Sequence, residues 1–416
     1  MSADPSISLI IVNQDRRDDL ARLLSSLRFQ RLMPSEIIVV TNLPEGDRPE
    51  TPLDILWLQC PERGISAARN TAIAAASGDI VAFCDDDAVP EFDWLRQLTD
   101  PLGLRGVASS GGYVRGRNGV SFQNQTTFFD RYGRDWQEKT ENAQPRIFPP
   151  NKDTILKTLG TNCAFRREAL VEIGGFDEDY QHFLSEADVN IRLSDVGMQT
   201  AIVPLAEVHH SLAGSRRRTS RRVPEHLFET GASKAHFCQK FSNLPSIDSL
   251  MPEFIQEHDA FLKRCFQYGL IEADRYHTLM AELHDGLKQG RTRGGKLLDW
   301  TDTDRPDLPH SAVTERPRHL ITTNLRHRKQ AFEKAREAAD AGGEVTVMMI
   351  EYTIRPLKVW YDADGFWVHR IGLLGRDERH RKARPASAQA RIDRELARIE
   401  PQRQLLADKT VSENFC

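Results

Sequence analysis

Short apolar runs alternate with helix-like segments along residues 6–84 of the chain. Residues 6–12 are almost continuously apolar, as expected of a strand that is buried on both faces. Residues 17–30 place leucines at helical spacing with charges opposite them. Further strands are predicted at 36–40, 53–58 and 80–84, with an alanine-rich helix at 65–76. This alternation implies right-handed crossovers and a mostly parallel, twisted, Rossmann-like sheet flanked by helices.

Three consecutive carboxylates follow the strand predicted at residues 80–84. Asp85, Asp86 and Asp87 would repel one another and resist burial unless a cation joins them. Hard oxygen ligands at a strand end suit Mg²⁺ or Mn²⁺, and these ions usually accompany a phosphate. The alternative is a solvated acidic turn, because acidic residues are common in turns. Ligands of parallel sheets lie outside the carboxyl ends of the strands. The polar residues expected at the same edge are Asn13, Thr41 and Asn42.

The length of 416 residues predicts more than one domain. The composition changes near residue 214, where a basic run begins, and a helical pattern follows at 224–290. The predicted units are a first domain at 1–220, a helical extension at 221–295, a linker at 296–319, a small α+β module at 320–375 and a charged tail at 376–416. The module is expected to contain one helix, a hairpin and a few antiparallel strands, and the tail is expected to form a solvated helix with a frayed end.

Composition limits the partners and the compartment. The 56 basic and 60 acidic side chains nearly balance and give no bias toward nucleic acid. The six cysteines form no CxxC pair, so we expect the reduced thiols of a cytoplasmic protein. The N-terminus does not resemble a signal peptide, and no apolar run approaches the ~20 residues needed to span a bilayer. Membrane contact would therefore be peripheral, at the inner face, through the basic run from Arg216 to Arg222, which could instead be a solvated loop.

Six segments of the chain, in order over about residues 7–215, resemble the family 2 glycosyltransferases of GT-A fold. They are the first strand with Asn13, the second strand at 36–40, the segment Gly64-Ile65-Ser66-Ala67-Ala68-Arg69-Asn70, the region from Gly78 to Asp87, the segment from Gly160 to Arg167 with Gly174-Gly175-Phe176-Asp177, and the acidic helix from Glu186 to Gly197. The resemblance implies a metal-dependent, inverting glycosyltransferase of the hexosyltransferase type in the N-terminal half.

The resemblance also assigns roles to individual residues. Asp87, with Asp85 nearby, would hold Mn²⁺ or Mg²⁺ against the diphosphate of a nucleotide-sugar donor, a UDP-sugar by default. His209 or His210 could complete the metal shell, although a structural histidine is an equally good interpretation. The residues expected to bind the donor are Asn13, Asn42, Arg69, Asn70, Asp85 and Asp86. Thr161 and Asn162 are expected on the acceptor side.

An inverting transferase needs a base that deprotonates the acceptor hydroxyl. The resemblance places Glu186 at the base position and Asp188 at a second acidic position. Residues two apart cannot share one helical face, so only one of them can face the site, and Glu186 is favoured. The alternative is that both carboxylates only stabilise the N-terminus of their helix. Arg69 could likewise be part of an ion pair, and Asn70 a structural amide.

Departures from the family pattern leave the donor and acceptor open. Thr41-Asn42 stands where many members carry an Asp that contacts uracil. No Q-x-x-R-W motif follows Glu186, which argues against a processive polysaccharide synthase. The acceptor could be a glycan, a lipid-linked saccharide or another hydroxyl compound, with surface glycan or polysaccharide synthesis in bacteria as the setting. The C-terminal module could bind this acceptor, mediate a homo-oligomer or only brace the transferase domain. The alternatives are a catalytically degenerate GT-A scaffold and a sugar nucleotidyltransferase.

Overall fold

The computed structural model describes residues 5–59, 64–138, 143–211, 219, 222–300, 306–377, 386–406 and 410–415. The helices are α1 (Arg17–Leu27), α2 (Ile65–Ala75), α3 (Trp94–Thr99), α4 (Arg167–Glu172), α5 (Ser185–Asp195), α6 (Phe228–Phe241), α7 (Met251–Gln267), α8 (Ala273–Gly290), α9 (Arg328–Asp340) and α10 (Ala388–Arg403). The strands of the N-terminal half are β1 (Ile7–Asn13), β2 (Glu36–Thr41), β3 (Leu56–Leu58), β4 (Ile80–Asp85), β5 (Ala88–Pro90), β6 (Val107–Arg115), β7 (Phe122–Asn124), β8 (Thr126–Phe129), β9 (Asp135–Glu138), β10 (Arg146–Phe148), β11 (Ile155–Lys157), β12 (Asn162–Arg166) and β13 (Gln199–His210). Those of the C-terminal half are β14 (Arg318–Asn324), β15 (Glu344–Glu351), β16 (Lys358–Tyr361), β17 (Trp367–Gly372) and β18 (Thr410–Phe415).

Ten of the described strands form the central sheet of the N-terminal half. Their order is β10-β13-β6-β12-β4-β1-β2-β3, with β5 paired to β13 and β7 to β6. Strand β1 runs parallel to both β2 and β4. The leucines of α1 and α3 pack on one face of the sheet, and the alanines of α2 pack on the other. The predicted sheet flanked by helices is confirmed.

The helical pattern at residues 224–290 folds into α6, α7 and α8, which share an apolar core. Gly231 of α6 and Gly286 of α8 allow a close approach of the two helices, because a Cβ on either residue would overlap backbone atoms of the other helix. The predicted linker contains no described helix, and its first residues pack back on the N-terminal half, where the Lys296 amide donates to Asp177 Oδ1 at 2.8 Å. No described helix is both long and apolar enough to cross a membrane.

The C-terminal half contains a second sheet, with the described strands in the order β16-β17-β15-β14-β18. The predicted hairpin is present as the antiparallel pair β16 and β17, and Gly365 adopts a φ of +93° in its turn. The expectation that the module's strands are antiparallel is wrong for the rest of this sheet, because β14 pairs in parallel with β15 and β18, and β15 pairs in parallel with β17. Helix α9 supplies the crossover that parallel neighbours require.

The tail is not a solvated helix, and that expectation is also wrong. Helix α10 buries Ile392, Leu396 and Ile399 in the core of the C-terminal sheet, and β18 adds a strand to that sheet. These apolar residues recur at helical spacing, so they form a stripe despite the surrounding charges. The same core includes Phe29 and Phe92 from the N-terminal half. The two halves of the chain therefore pack against each other through a shared apolar core.

Candidate active site

The three consecutive carboxylates lie at the carboxyl end of β4, beside the end of β1. Asp86 points inward and is fully buried, where it accepts hydrogen bonds from Asn13 Nδ2 at 2.6 Å and from Arg16 Nε at 3.2 Å. Burial raises the pKa of Asp86 to about 7, although Arg16 opposes that rise. Asp85 accepts a hydrogen bond from Thr161 Oγ1 at 2.5 Å, and Arg16 Nη1 lies 3.0 Å from Asp87 Oδ2. Asp86 thus anchors the turn that carries its two neighbours.

Asp85, Asp87 and His210 form a group, here called the Asp–His cluster, whose ligand atoms all lie within 4.8 Å of one another. His210 Nε2 is 3.1 Å from Asp87 Oδ1, and His210 Nδ1 is 3.1 Å from Gln123 Oε1. Because the Gln123 oxygen can only accept, Nδ1 donates to it, and Nε2 is the nitrogen that faces Asp87. A divalent cation placed there would be held by Nε2 and the carboxylate oxygens. The donor set of two carboxylates and one imidazole therefore fits Mn²⁺.

His209 points away from its neighbour, as alternation along a strand requires. Its Nε2 lies 2.9 Å from Glu91 Oε1, and its ring packs on Trp367 with centroids 4.4 Å apart. Both oxygens of Glu91 also accept hydrogen bonds from Arg403 of α10, each at 2.8 Å. Glu91, Glu207 and His209 form a second group with metal-ligand geometry. Arginines already neutralise both of its carboxylates, so a cation is not needed there.

Glu186 and Arg69 form an ion pair at the start of α5, with Arg69 Nη1 2.7 Å from Glu186 Oε1. Arg69 is almost fully buried, and its guanidinium lies 5.1 Å from the ring centre of Phe176. Burial raises the pKa of Glu186, but the charge and hydrogen bond of Arg69 outweigh burial and lower the net pKa below its usual value. A Cβ at position 160 would overlap both partners, which explains why a glycine stands there. Glu186 is therefore an anion at neutral pH.

Asp188 faces the protein interior and is fully buried. It accepts hydrogen bonds from Arg192 Nε at 2.5 Å and from Lys240 Nζ at 2.6 Å. The bond from Lys240 joins α6 to α5, and Lys240 also bonds Asp177. Asp188 thus contributes to a structural ionic network, whereas Glu186, two residues earlier, lines a cleft.

The other predicted site residues either make buried structural hydrogen bonds or are exposed to solvent. Asn70 donates to the Phe176 carbonyl at 2.8 Å, and Asn162 donates to the Ala206 carbonyl at 2.7 Å. Both amides are buried and brace neighbouring segments. Asn42 is exposed after β2. The structure therefore does not bring Asn42, Asn70, Asn162, Asp188 or His209 to the Asp–His cluster.

Asp85, Arg69 and Glu186 line a cleft of about 870 Å³, here called the carboxylate cleft. It lies between the carboxyl edge of the central sheet and helices α6 and α7, which contribute Thr230 and His258. Arg222 lines it too, whereas Arg216, Arg217, Arg218, Ser220 and Arg221 lie outside the described residues. The sequence reasoning missed Arg16, although a cation three residues beyond the first strand should lie at the edge where the carboxylates gather.

Comparison with known proteins identifies the N-terminal half. Residues 8–174 match the family model described as Glycosyl transferase family 2. This half of the chain is a family 2 glycosyltransferase domain. The predicted resemblance is confirmed, and so is the GT-A fold class expected from it.

Two curated relatives show how far the similarity extends. The succinoglycan biosynthesis protein ExoM of Rhizobium meliloti is 38% identical over 115 residues, which are 25% of this chain and 37% of that protein. The glucosyl-dolichyl phosphate glucuronosyltransferase of Haloferax volcanii is 27% identical over 272 residues, 62% of this chain and 82% of that protein. Among solved structures, the chain is similar to the mannosyltransferase PcManGT from Pyrobaculum calidifontis in complex with GDP-Man and Mn²⁺. The two are 14% identical, and the alignment covers 70% of this chain and 88% of that chain with a TM-score of 0.39.

Proposed function

We propose that the protein is a metal-dependent, inverting glycosyltransferase that moves a sugar from a nucleotide-sugar donor, by default a UDP-sugar, to a hydroxyl acceptor. The observation that carries the proposal is the meeting of Asp85, Arg69 and Glu186 in one cleft, with the Asp–His cluster at its edge. Such an edge of a parallel sheet is where ligands bind.

The Asp–His cluster would hold Mn²⁺ or Mg²⁺, whose charge would stabilise the diphosphate as it leaves. The imidazole of His210 makes Mn²⁺ the better match of the two. Arg16 adds a cation at the same edge, where its ion pairs with Asp86 and Asp87 hold it. Asn13 and Asp86 lie beneath the cleft, where their hydrogen bonds hold Arg16 and the turn after β4 in place.

Glu186 is the proposed general base. Arg69 and Ser185 each donate a hydrogen bond to its carboxylate, which fixes its orientation and keeps it ionised. As the acceptor oxygen attacks the anomeric carbon, its proton passes to a Glu186 oxygen, and the bond between the sugar and the diphosphate breaks on the opposite side of the ring. The anomeric configuration is thereby inverted.

The printed names of the relatives support a setting in glycan assembly. One relative is named a succinoglycan biosynthesis protein and the other a glucosyl-dolichyl phosphate glucuronosyltransferase. We therefore propose polysaccharide or surface-glycan synthesis, with a glycan or a lipid-linked saccharide as the acceptor. The proposed location is the cytoplasm or the inner face of the membrane.

A panel of UDP-, GDP-, dTDP- and ADP-sugars, with and without Mn²⁺, tests the proposal by thermal shift. A ligand that binds only the folded protein raises its melting temperature by mass action. We expect one nucleotide to raise it, only when Mn²⁺ is present. If no nucleotide shifts the melting temperature, the transferase proposal fails, and a catalytically degenerate GT-A scaffold becomes the better interpretation.

A further inference from the structure

A second cleft of about 690 Å³, here called the basic cleft, lies between the N-terminal half and the C-terminal sheet. Its lining includes Glu351 and Asp362 as carboxylates. The cations among its described lining residues are Arg22, Arg117, Arg328, Arg355, Lys358 and Arg370. Cations therefore clearly outnumber carboxylates in this cleft, although the whole chain is slightly acidic.

Two of these cations are held directly opposite each other. Lys358 of β16 and Arg370 of β17 are register partners in the antiparallel hairpin, so their side chains leave the sheet on the same face. Cβ atoms of such partners are about 5 Å apart, and like charges in this position destabilise a sheet. An anion bound between the two cations would remove that cost.

Several buried polar atoms in the lining have no hydrogen-bond partner among the described residues. They include Ser211 Oγ and Arg370 Nε, both of which can donate a hydrogen bond. Buried donors without partners are costly, which points to a ligand that accepts hydrogen bonds.

The cleft also lies where a parallel sheet binds ligands. Leu325 follows the carboxyl end of β14, and Glu351 ends β15. Arg328 is the first residue of α9, whose amino end carries a partial positive charge. Backbone and side chains thus favour an anion at the same place.

We infer that the basic cleft binds the phosphate group of a phosphate-bearing saccharide or lipid. A phosphate can carry two charges and match the fork of an arginine, so it satisfies opposed cations better than a single carboxylate does. His210 belongs both to this lining and to the Asp–His cluster. A phosphate held in the basic cleft therefore lies next to the proposed metal site.

The test measures binding of inorganic pyrophosphate by calorimetry in EDTA, with the full chain and two variants. The variant Lys358→Gln/Arg370→Gln removes the opposed cations, and Lys334→Gln removes an exposed cation of α9 outside the cleft. We expect the double variant to bind pyrophosphate about tenfold or more weakly, since two charge-assisted hydrogen bonds are lost. The Lys334 variant should bind like the wild type, and UDP binding with Mn²⁺ should be the same in all three proteins.

Equal pyrophosphate binding by the wild type and the double variant, or none by the wild type, would overturn the inference, even if UDP binds as proposed. Vesicles of phosphatidylglycerol in phosphatidylcholine then distinguish the source of the phosphate. Vesicle binding that the double variant loses would identify a lipid headgroup. Pyrophosphate binding without vesicle binding would identify a soluble phosphosaccharide.

Discussion

Replacing Glu186 with glutamine removes the proposed base but keeps a side chain of nearly the same size and shape. Arg69 Nη1, 2.7 Å from Glu186 Oε1, can still donate to the amide oxygen of the new side chain. The variant therefore keeps the hydrogen bond and loses the negative charge. We expect the rate of transfer to fall while the donor continues to bind.

The size of the effect follows from the two roles of the carboxylate. A positioned general base contributes about 10²- to 10⁴-fold to a rate, which is roughly 3 to 5 kcal/mol of activation free energy. The weakened hydrogen bond to the buried Arg69 costs about 1 to 2 kcal/mol of folding free energy. The melting temperature should therefore fall by only a few degrees, far less than needed to explain the lost activity.

Asp188→Asn is the matched control, because it removes a carboxylate two residues away on the same helix. Asp188 is fully buried, and its two oxygens bond Arg192 and Lys240 separately. Asparagine keeps only one acceptor oxygen, so one of these partly buried cations loses its hydrogen bond to residue 188. We expect a loss of about 3 kcal/mol or more of folding free energy, with kcat of the remaining folded protein close to that of the wild type.

The assay follows release of the nucleoside diphosphate from the identified donor, together with urea unfolding of each variant. The predicted pattern is low kcat with nearly normal stability for Glu186→Gln, and the reverse for Asp188→Asn. If a folded Glu186→Gln protein kept its kcat within about threefold, Glu186 would not be the base. Loss of kcat in a stable Asp188→Asn protein would assign the role to the other carboxylate.

Two further predictions concern the contact between the two halves. Arg403→Met should cost about 3 to 5 kcal/mol in urea unfolding, because it leaves the carboxylate of Glu91 buried without its arginine; a loss below about 1 kcal/mol would contradict the importance of this pair. His369 accepts a hydrogen bond from Arg403 at Nε2 and donates one from Nδ1 to Glu395, so it is neutral, and burial lowers its pKa from 6.5 to about 4. As the pH falls, His369 is protonated in the unfolded chain before it is protonated in the folded protein. The free energy of unfolding should therefore be highest above pH 6.5 and fall by up to about 3 kcal/mol as the pH falls toward 4. His369→Gln should flatten this dependence, and an unchanged slope would refute the assignment.

The N-terminal half was predictable because its signals are local. Continuous apolar strands and amphipathic helices such as α1 can be recognised from a few neighbouring residues. The position of the carboxylates followed from the rule that parallel strands end at one edge. That rule does not state which of two adjacent histidines shares a face with Asp87, since the answer depends on the register between β13 and β5.

The C-terminal half depends on contacts that are distant in sequence. Parallel pairing of β14 with β18 joins segments about 90 residues apart, and no local pattern predicts such a pair. Helix α10 is charge-dense, yet Arg403 is fully buried because Glu91, 312 residues earlier, neutralises it. The partner of a buried charge cannot be inferred from the charge alone.

Binding of Mn²⁺ in the presence of UDP, measured by electron paramagnetic resonance, tests the Asp–His cluster most directly. The decisive comparison is His210→Gln against His209→Gln, two adjacent imidazoles of which only His210 faces Asp87. We predict that His210→Gln and Asp87→Ala weaken Mn²⁺ binding by about tenfold or more, while folded His209→Gln binds like the wild type. Equal Mn²⁺ affinity in the wild type and the His210 and Asp87 variants would contradict the metal site on which the proposed transferase mechanism depends.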